Sequence, residues 1–191
     1  MALKTLVDSG AISDHERLDV LHEISKSIPF RLYEALLTAE PGAKIPDSVF
    51  QEMSKKNPKR TLEIALGDGD SRIADMSIKD ALFNFGLADV EKSLDWFRNH
   101  ETELSGAKRD QGAQGLSLLA VRHAEFDTAW EWTGEIADAE LRRKAEGEVW
   151  ASEKKVVEIA TTRDPQKFLE SVVSGQSVHA DYWIQTGMLR T

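Results

Sequence analysis

The trio Pro58, Leu62 and Ile64 returns along the chain as Val90, Leu94 and Trp96, as Phe126, Trp130 and Trp132, and as Pro165, Leu169 and Ser171, at intervals of 32, 36 and 39 residues. Self-similarity with a period of roughly 20–50 residues marks supersecondary units stacked on one another. A second element in each unit carries Ala81, Ala113 and Ala145, 32 residues apart. The last two stand in matching trios, Ala113-Gln114-Gly115 and Ala145-Glu146-Gly147. Small residues at these places predict helix backbones in close approach. Trp130 and Trp132, two positions apart, point about 200° away from each other on a helix of 3.6 residues per turn. Burying both needs neighbours on two sides, which a helix inside a stack has. The same holds for Leu94 and Trp96.

The punctuation between these elements is helical. Ser13-Asp14-His15-Glu16 has the form of a capping box, in which a hydroxyl and a carboxylate satisfy orphan amides reciprocally. Leu18, Leu21, Ile24 and Ile28 follow on one helical face. A second helix is expected over Phe30 to Thr38, and a third from a capping box at Ser48 and Gln51 to about Lys56. Asn57-Pro58 and Asp164-Pro165 each pair a capping side chain with proline at the first helical position, where its missing amide costs nothing. Further starts are expected at Asp89, Glu125 and Asp138. Gly67, Gly134 and Gly187 mark ends with a left-handed cap. No run shows the sustained two-residue alternation of a strand. Ten to twelve helices are expected.

Asn57-Pro58-Lys59-Arg60-Thr61-Leu62-Glu63-Ile64-Ala65 and Asp164-Pro165-Gln166-Lys167-Phe168-Leu169 resemble the first helix of bacterial α-solenoid repeats, in which an Asp-Pro step opens a helix carrying alanines and a tryptophan. Ala129-Trp130-Glu131-Trp132 and Leu94-Asp95-Trp96 are similar to the later part of that helix. The resemblance covers Val49 to Val173 and points to the tetratricopeptide-like and HEAT-like class, whose members are mostly protein-interaction scaffolds. Such repeats are defined by packing positions, so the resemblance assigns no functional residue. The fold expected is all-α: stacked helical hairpins in a short solenoid of the right-handed α-α superhelix type. It is one domain over residues 1–191, with divergent N-terminal helices in 1–48, hairpin repeats in 49–173 and a capping helix in 174–191.

Composition narrows the function. Hydrophobic residues make up 41% of the 191 and charged residues 30%, a globular balance. Acidic residues outnumber basic ones by 33 to 24, a net charge of -9, and a field of that sign repels phosphate backbones. Without cysteine the chain has no disulfide, thiolate metal site or thiol nucleophile. Met1 to Gly10 lacks the apolar stretch of a signal peptide. Leu116 to Val121 falls far short of the roughly 20 residues that span a bilayer. A cytoplasmic location is expected, with an exported parent whose leader has been removed as the alternative.

Each candidate for chemistry has a plainer explanation. His15, Asp19 and His22 share helical spacing, and could in principle face one metal ion, but a structural site wants a fourth protein ligand. The plainer assignment is the edge of a solvated face. Gly67-Asp68-Gly69-Asp70-Ser71-Arg72 matches a calcium loop for three residues only; Arg72 and Lys79 stand where ligands belong. Gly112 and Gly115 lack the strand and the Gly-Lys-Ser/Thr ending of a phosphate loop, so close helix packing explains them. Lys55, Lys56, Lys59 and Arg60 gather at one helix junction, either as an anion or acidic-partner patch or as a solvated edge. Trp96, Trp130, Trp132, Trp150 and Trp183 are expected in the core by their phasing rather than in an aromatic groove; Trp183 beside Tyr182 is the best exposed contact among them. No catalytic, cofactor-binding or metal residue follows, and no cofactor is expected. The expected function is a non-enzymatic scaffold binding a protein or peptide, not nucleic acid or membrane. The alternatives are an enzyme or metal-binding domain with a site assembled from distant helices, and a structural segment of a larger repeat protein.

Overall fold

Single residues turn the chain from one helix into the next at three places. The computed structural model describes residues 10, 13–39, 45–67, 76–163 and 166, and the chain divides into two compact units, residues 1–104 and 105–191. In the first unit α1 (Asp14–Ser27) meets α2 (Pro29–Ala39) at Ile28. Likewise α3 (Asp47–Lys56) meets α4 (Pro58–Gly67) at Asn57, and α5 (Met76–Ala88) meets α6 (Val90–His100) at Asp89. At each corner one residue serves both helices. The N–H of Ile28, Asn57 and Asp89 donates to Ile24, Met53 and Phe85, closing the first helix. Their carbonyls accept from Leu32, Thr61 and Ser93, opening the second. Asn57 and Asp89 add a side-chain cap, accepting from the N–H of Arg60 at 3.0 Å and of Lys92 at 3.1 Å. Pro58 stands at the first helical position, as its sequence context predicts.

A corner this tight leaves little room inside its angle, and the sequence answers with small side chains. Three residues before each corner stand Ser25, Ser54 and Gly86, all buried. Four residues after the second and third corners stand Thr61 and Ser93, also buried, while the first corner has the larger Leu32 at that place. Ser93 is close enough to the preceding helix to donate to the Leu82 carbonyl at 2.8 Å. Farther from the corner the pairs widen and large residues fill the space: Leu21, Phe50 and Leu82 on the first helices, Leu36 and Phe97 on the second. Tyr33 meets Phe50 edge to face at 5.7 Å. Each helix of this unit packs on the next in order, and α1, α3 and α5 pack on one another in succession.

The second unit holds α7 (Gly106–Arg122), α8 (Phe126–Gly134) and α9 (Ala139–Arg163), each packed on the other two. Its α7–α8 pair follows the same rule, with Ala120 and Ala129 buried on the facing sides, and Ser117 donating to the Ala129 carbonyl at 3.1 Å. One cluster joins Ala120, Ala124, Phe126, Ala129, Val149 and Val156, with Trp130 and Val121 against it. Another joins Ala113, Ile136 and Ala145, with Trp132 and Leu141 against it. Gly112 and Gly115 are buried within α7, in helix packing. Among the described residues there are nine helices and no strand, and no helix is long and apolar enough to cross a membrane.

All-α architecture and most boundaries agree with the sequence, including the Ser13–Glu16 capping box and the starts at Asp89, Glu125 and Asp138. Several expectations need correction. The recurring trio is set one residue off the deepest stripe. Leu62 is buried, but Leu94 and Trp130 are only partly so, while Thr61, Ser93 and Ala129 directly before them are fully enclosed. The large side chain at that place lies on the shoulder of its helix, because the facing line is reserved for small ones. Ser48 and Gln51 form no capping box: α3 starts one residue earlier, after Pro46, without a side-chain cap. Leu18 and Ile28 are 47% and 46% exposed, so only Leu21 of that face reaches the core fully. Gly147 is exposed, unlike its counterpart Gly115, and is no site of close approach. Asp164-Pro165, Gly187, Trp183, the 174–191 segment and the loop from Asp68 lie outside the described residues.

The left-handed glycine caps at Gly67 and Gly134 are also absent, since neither has positive φ. That conformation falls instead on Ala124, φ 59°, after α7. Ala124 donates to the Val121 carbonyl and Glu125 to Ala120, which satisfies two carbonyls that the helix end leaves over. A non-glycine residue there carries a penalty of about 1–2 kcal/mol, against which stands the burial of its methyl group. We expect Ala124→Gly to change stability by less than about 1 kcal/mol, because relief of strain offsets the lost methyl. Ala124→Val should cost about 2 kcal/mol or more, as β-branching opposes positive φ. Urea unfolding measures both; a large loss on Ala124→Gly with tolerance of valine contradicts this account of the turn.

Candidate functional site

The 25 residues of α9 carry six basic and five acidic side chains, and two of the carboxylates are turned toward its neighbours. Its start is held by the beginning of α7. Asp110, buried, accepts from the N–H of Ala137 at 3.0 Å and of Asp138 at 2.8 Å, one bond to each oxygen. Arg109 beside it donates to the Glu135 carbonyl and pairs with its carboxylate, both at 3.0 Å. Asp138 in turn caps α9 by accepting from Leu141 N–H at 2.7 Å. Two adjacent residues of α7 therefore fix the loop from which α9 departs. Ala145, Val149 and Val156 form the inner face. Beside that face Glu148 accepts from Gln114 at 3.4 Å and Glu153 from the Trp130 indole N–H at 3.2 Å.

Those bonds turn two of the helix's carboxylates toward α7 and α8. Away from the inner face Arg143, Lys144, Lys154 and Lys155 are exposed, as are Glu140 and Glu158, and Glu146 is partly so. Between the cations sits Trp150, 58% exposed, with the Lys154 ammonium 5.3 Å from its ring centre. Gly147, one turn earlier, adds no side chain, and the space above it is open. Lys154 also approaches Glu158 at 3.8 Å. An exposed tryptophan corrects the expectation that the phased tryptophans are all core. Trp96 is buried and stacked on His100 at 4.6 Å, Trp130 and Trp132 are partly buried, and Trp150 faces out. The signal that could have found it is its helical position. Trp150 directly follows buried Val149 and lies off the line through Ala145, Val149 and Val156.

The other sequence candidates are not brought together. His15 and Asp19 lie 3.7 Å apart, with side chains 86% and 67% exposed. Among the described residues no group of three or more His, Asp or Glu side chains is placed to hold a metal ion. The basic cluster is spent on local partners: Lys55 pairs with Glu52, Lys56 donates to the Ser27 carbonyl, Lys59 approaches Glu63 at 4.0 Å, and Arg60 pairs with Glu34 over the ring of Phe30. The Lys56 and Arg60 contacts tie the α3–α4 corner to the α1–α2 pair. Comparison of the chain with protein-family models, with curated proteins and with solved structures found no match.

Two electrostatic predictions follow. Replacing Asp110 by alanine removes a buried carboxylate that accepts from two backbone N–H groups of the loop and should cost about 2–4 kcal/mol, the scale of two hydrogen bonds to a charged group; unchanged urea midpoints would contradict the clamp. Asp80 on α5 behaves in the opposite sense. Partial burial holds its carboxyl above its ordinary value, against the pull of Lys79 and Lys55, with Asp47 adding to the rise. The folded state thus holds this proton more tightly than the unfolded one, so the group's contribution to stability declines as pH rises through its folded range. Asp80→Asn should be more stable than the parent at pH 7 and equal to it at pH 3, in paired urea titrations; a less stable variant at pH 7 would contradict the sign.

Proposed function

We propose that this chain is a non-enzymatic interaction scaffold, a short α-solenoid that binds a protein or peptide partner on an outward helix face. The observation that carries this reading is Trp150, more than half exposed in the middle of the longest helix. A large aromatic side chain in water forgoes burial worth about 1.5–3 kcal/mol, and tryptophan is prominent among the anchors of protein interfaces. The pairing of helices supports the reading too: the corners consume the small and apolar faces internally, leaving outer faces free to vary with a partner. The net charge of -9 disfavours nucleic acid as the general ligand.

The test is site-specific photo-crosslinking in cells of the natural host, with a photoreactive residue at exposed Ala151, beside an intact Trp150, and a control at exposed Arg98. Discrete heterologous adducts from position 151 and none from position 98 are expected. Identical adduct patterns from both positions, or none from either, would contradict the proposal.

A further inference from the structure

We propose that the seam between α8 and α9 binds a basic peptide segment, with an arginine side chain laid against Trp150. This deepens the scaffold reading and rests on it. Two bonds fix which side of α9 meets which neighbour. Glu148 accepts from Gln114 of α7, and Glu153 from the Trp130 indole of α8. At about 100° per residue, Trp150 lies about 60° around the helix from Glu153 and about 160° from Glu148. The exposed indole therefore stands on the α8 side of α9. Glu146, a turn earlier, falls between Trp150 and Glu153 in angle and shares that side. Lys144 and Lys155 fall on the α7 side, about 120–140° from Trp150.

Each wall of the seam thus brings an indole and a carboxylate. From α8 come Trp130 and Asp127, three residues apart on one helix. From α9 come Trp150, Glu146 and Glu153. Asp127 and Trp150 are exposed; Trp130, Glu146 and Glu153 are partly so. The charged residues of α8 are Asp127 and Glu131, with no cation among them. One cation of α9, Arg142, stands on the seam a turn before Glu146, while Arg143 and Lys154 lie on the far flank of Trp150. Lys154 holds its ammonium 5.3 Å from the Trp150 ring centre, so the chain itself seats a cation on this indole. An arginine from a partner fits both parts of the seam, since its guanidinium stacks on aromatic faces and bonds carboxylates in pairs. The net charge of -9 draws a basic segment toward the chain. An acidic segment laid along the seam would meet Asp127, Glu146 and Glu153 instead.

The full chain serves as bait for a random library of displayed 12-residue peptides, and the selected peptides, labelled with fluorescein, are titrated by anisotropy. The variants are Trp150→Ala and the pair Glu146→Gln with Glu153→Gln, in which glutamine at 153 still accepts from the Trp130 indole. A control pair, Asp95→Asn with Glu103→Gln, removes two exposed charges from the other unit. Circular dichroism checks helicity. We expect arginine-enriched peptides that lose about tenfold or more in affinity with Trp150→Ala and with the seam pair, and less than about twofold with the control pair. Equal losses in the two charge pairs would reduce binding to the chain's overall field and overturn the seam as the site, as would full binding by Trp150→Ala. Selection of peptides rich in Asp and Glu would overturn the basic occupant. Each of these outcomes leaves the scaffold reading standing, whereas failure to select any peptide counts against both.

Discussion

The single residue at each corner is the constraint on which the first unit depends. Its N–H completes one helix and its carbonyl starts the next, so no connecting segment is available to absorb a misfit. Two helices leaving one residue must approach each other closely near the vertex. Side-chain volume there is therefore restricted on both arms, and Ser25, Ser54 and Gly86 before the corner, with Thr61 and Ser93 after two of them, meet that restriction. A hydroxyl at such a place is buried and needs a partner. The side chains of Ser25, Ser54 and Thr61 find one in their own helix or cap, and Ser93 reaches across to Leu82.

In the second unit the connection after α7 is longer, and a different device replaces the corner. Ala124 accepts a left-handed conformation so that two leftover carbonyls of α7 are bonded. At the other end of α8, the Arg109–Asp110 pair holds the following loop through its backbone, a task that places no demand on the loop's side chains. With both ends of α8 fixed, α9 is laid against α7 and α8 along a narrow line of small and β-branched residues. The opposite side of α9 is left to solvent. Glu148 and Glu153, beside the inner line, bond to an amide and an indole donor.

The all-helical class and most of the helix punctuation were legible in the sequence, because capping side chains, proline at the first helical position and apolar periodicity act locally. The same local rules failed where a neighbouring helix decides. Leu94 and Trp130 look like core residues by size, but the facing line belongs to Ser93 and Ala129, which sequence alone ranks as unremarkable. Gly67 and Gly134 do close their helices, but without the left-handed cap expected of them; that conformation falls on Ala124, after a different helix and without the residue type that usually advertises it. Trp150 looked like core from its place in a series of tryptophans; only the line of Ala145, Val149 and Val156 shows that it points away. The clamp by Asp110 had no sequence signal, since its partners are backbone amides 27 and 28 residues later.

The claim on which these relations rest is that small side chains are required where paired helices meet, and leucine substitution tests it most directly. Ser25→Leu, Ser54→Leu and Ala120→Leu should each destabilise the chain by about 1–3 kcal/mol through overpacking, measured by urea unfolding. The exposed control Ser27→Leu should stay within about 0.5 kcal/mol of the parent. If the three buried sites accept leucine as readily as Ser27 does, the helices do not meet there at the closeness described, and the account of the corners fails.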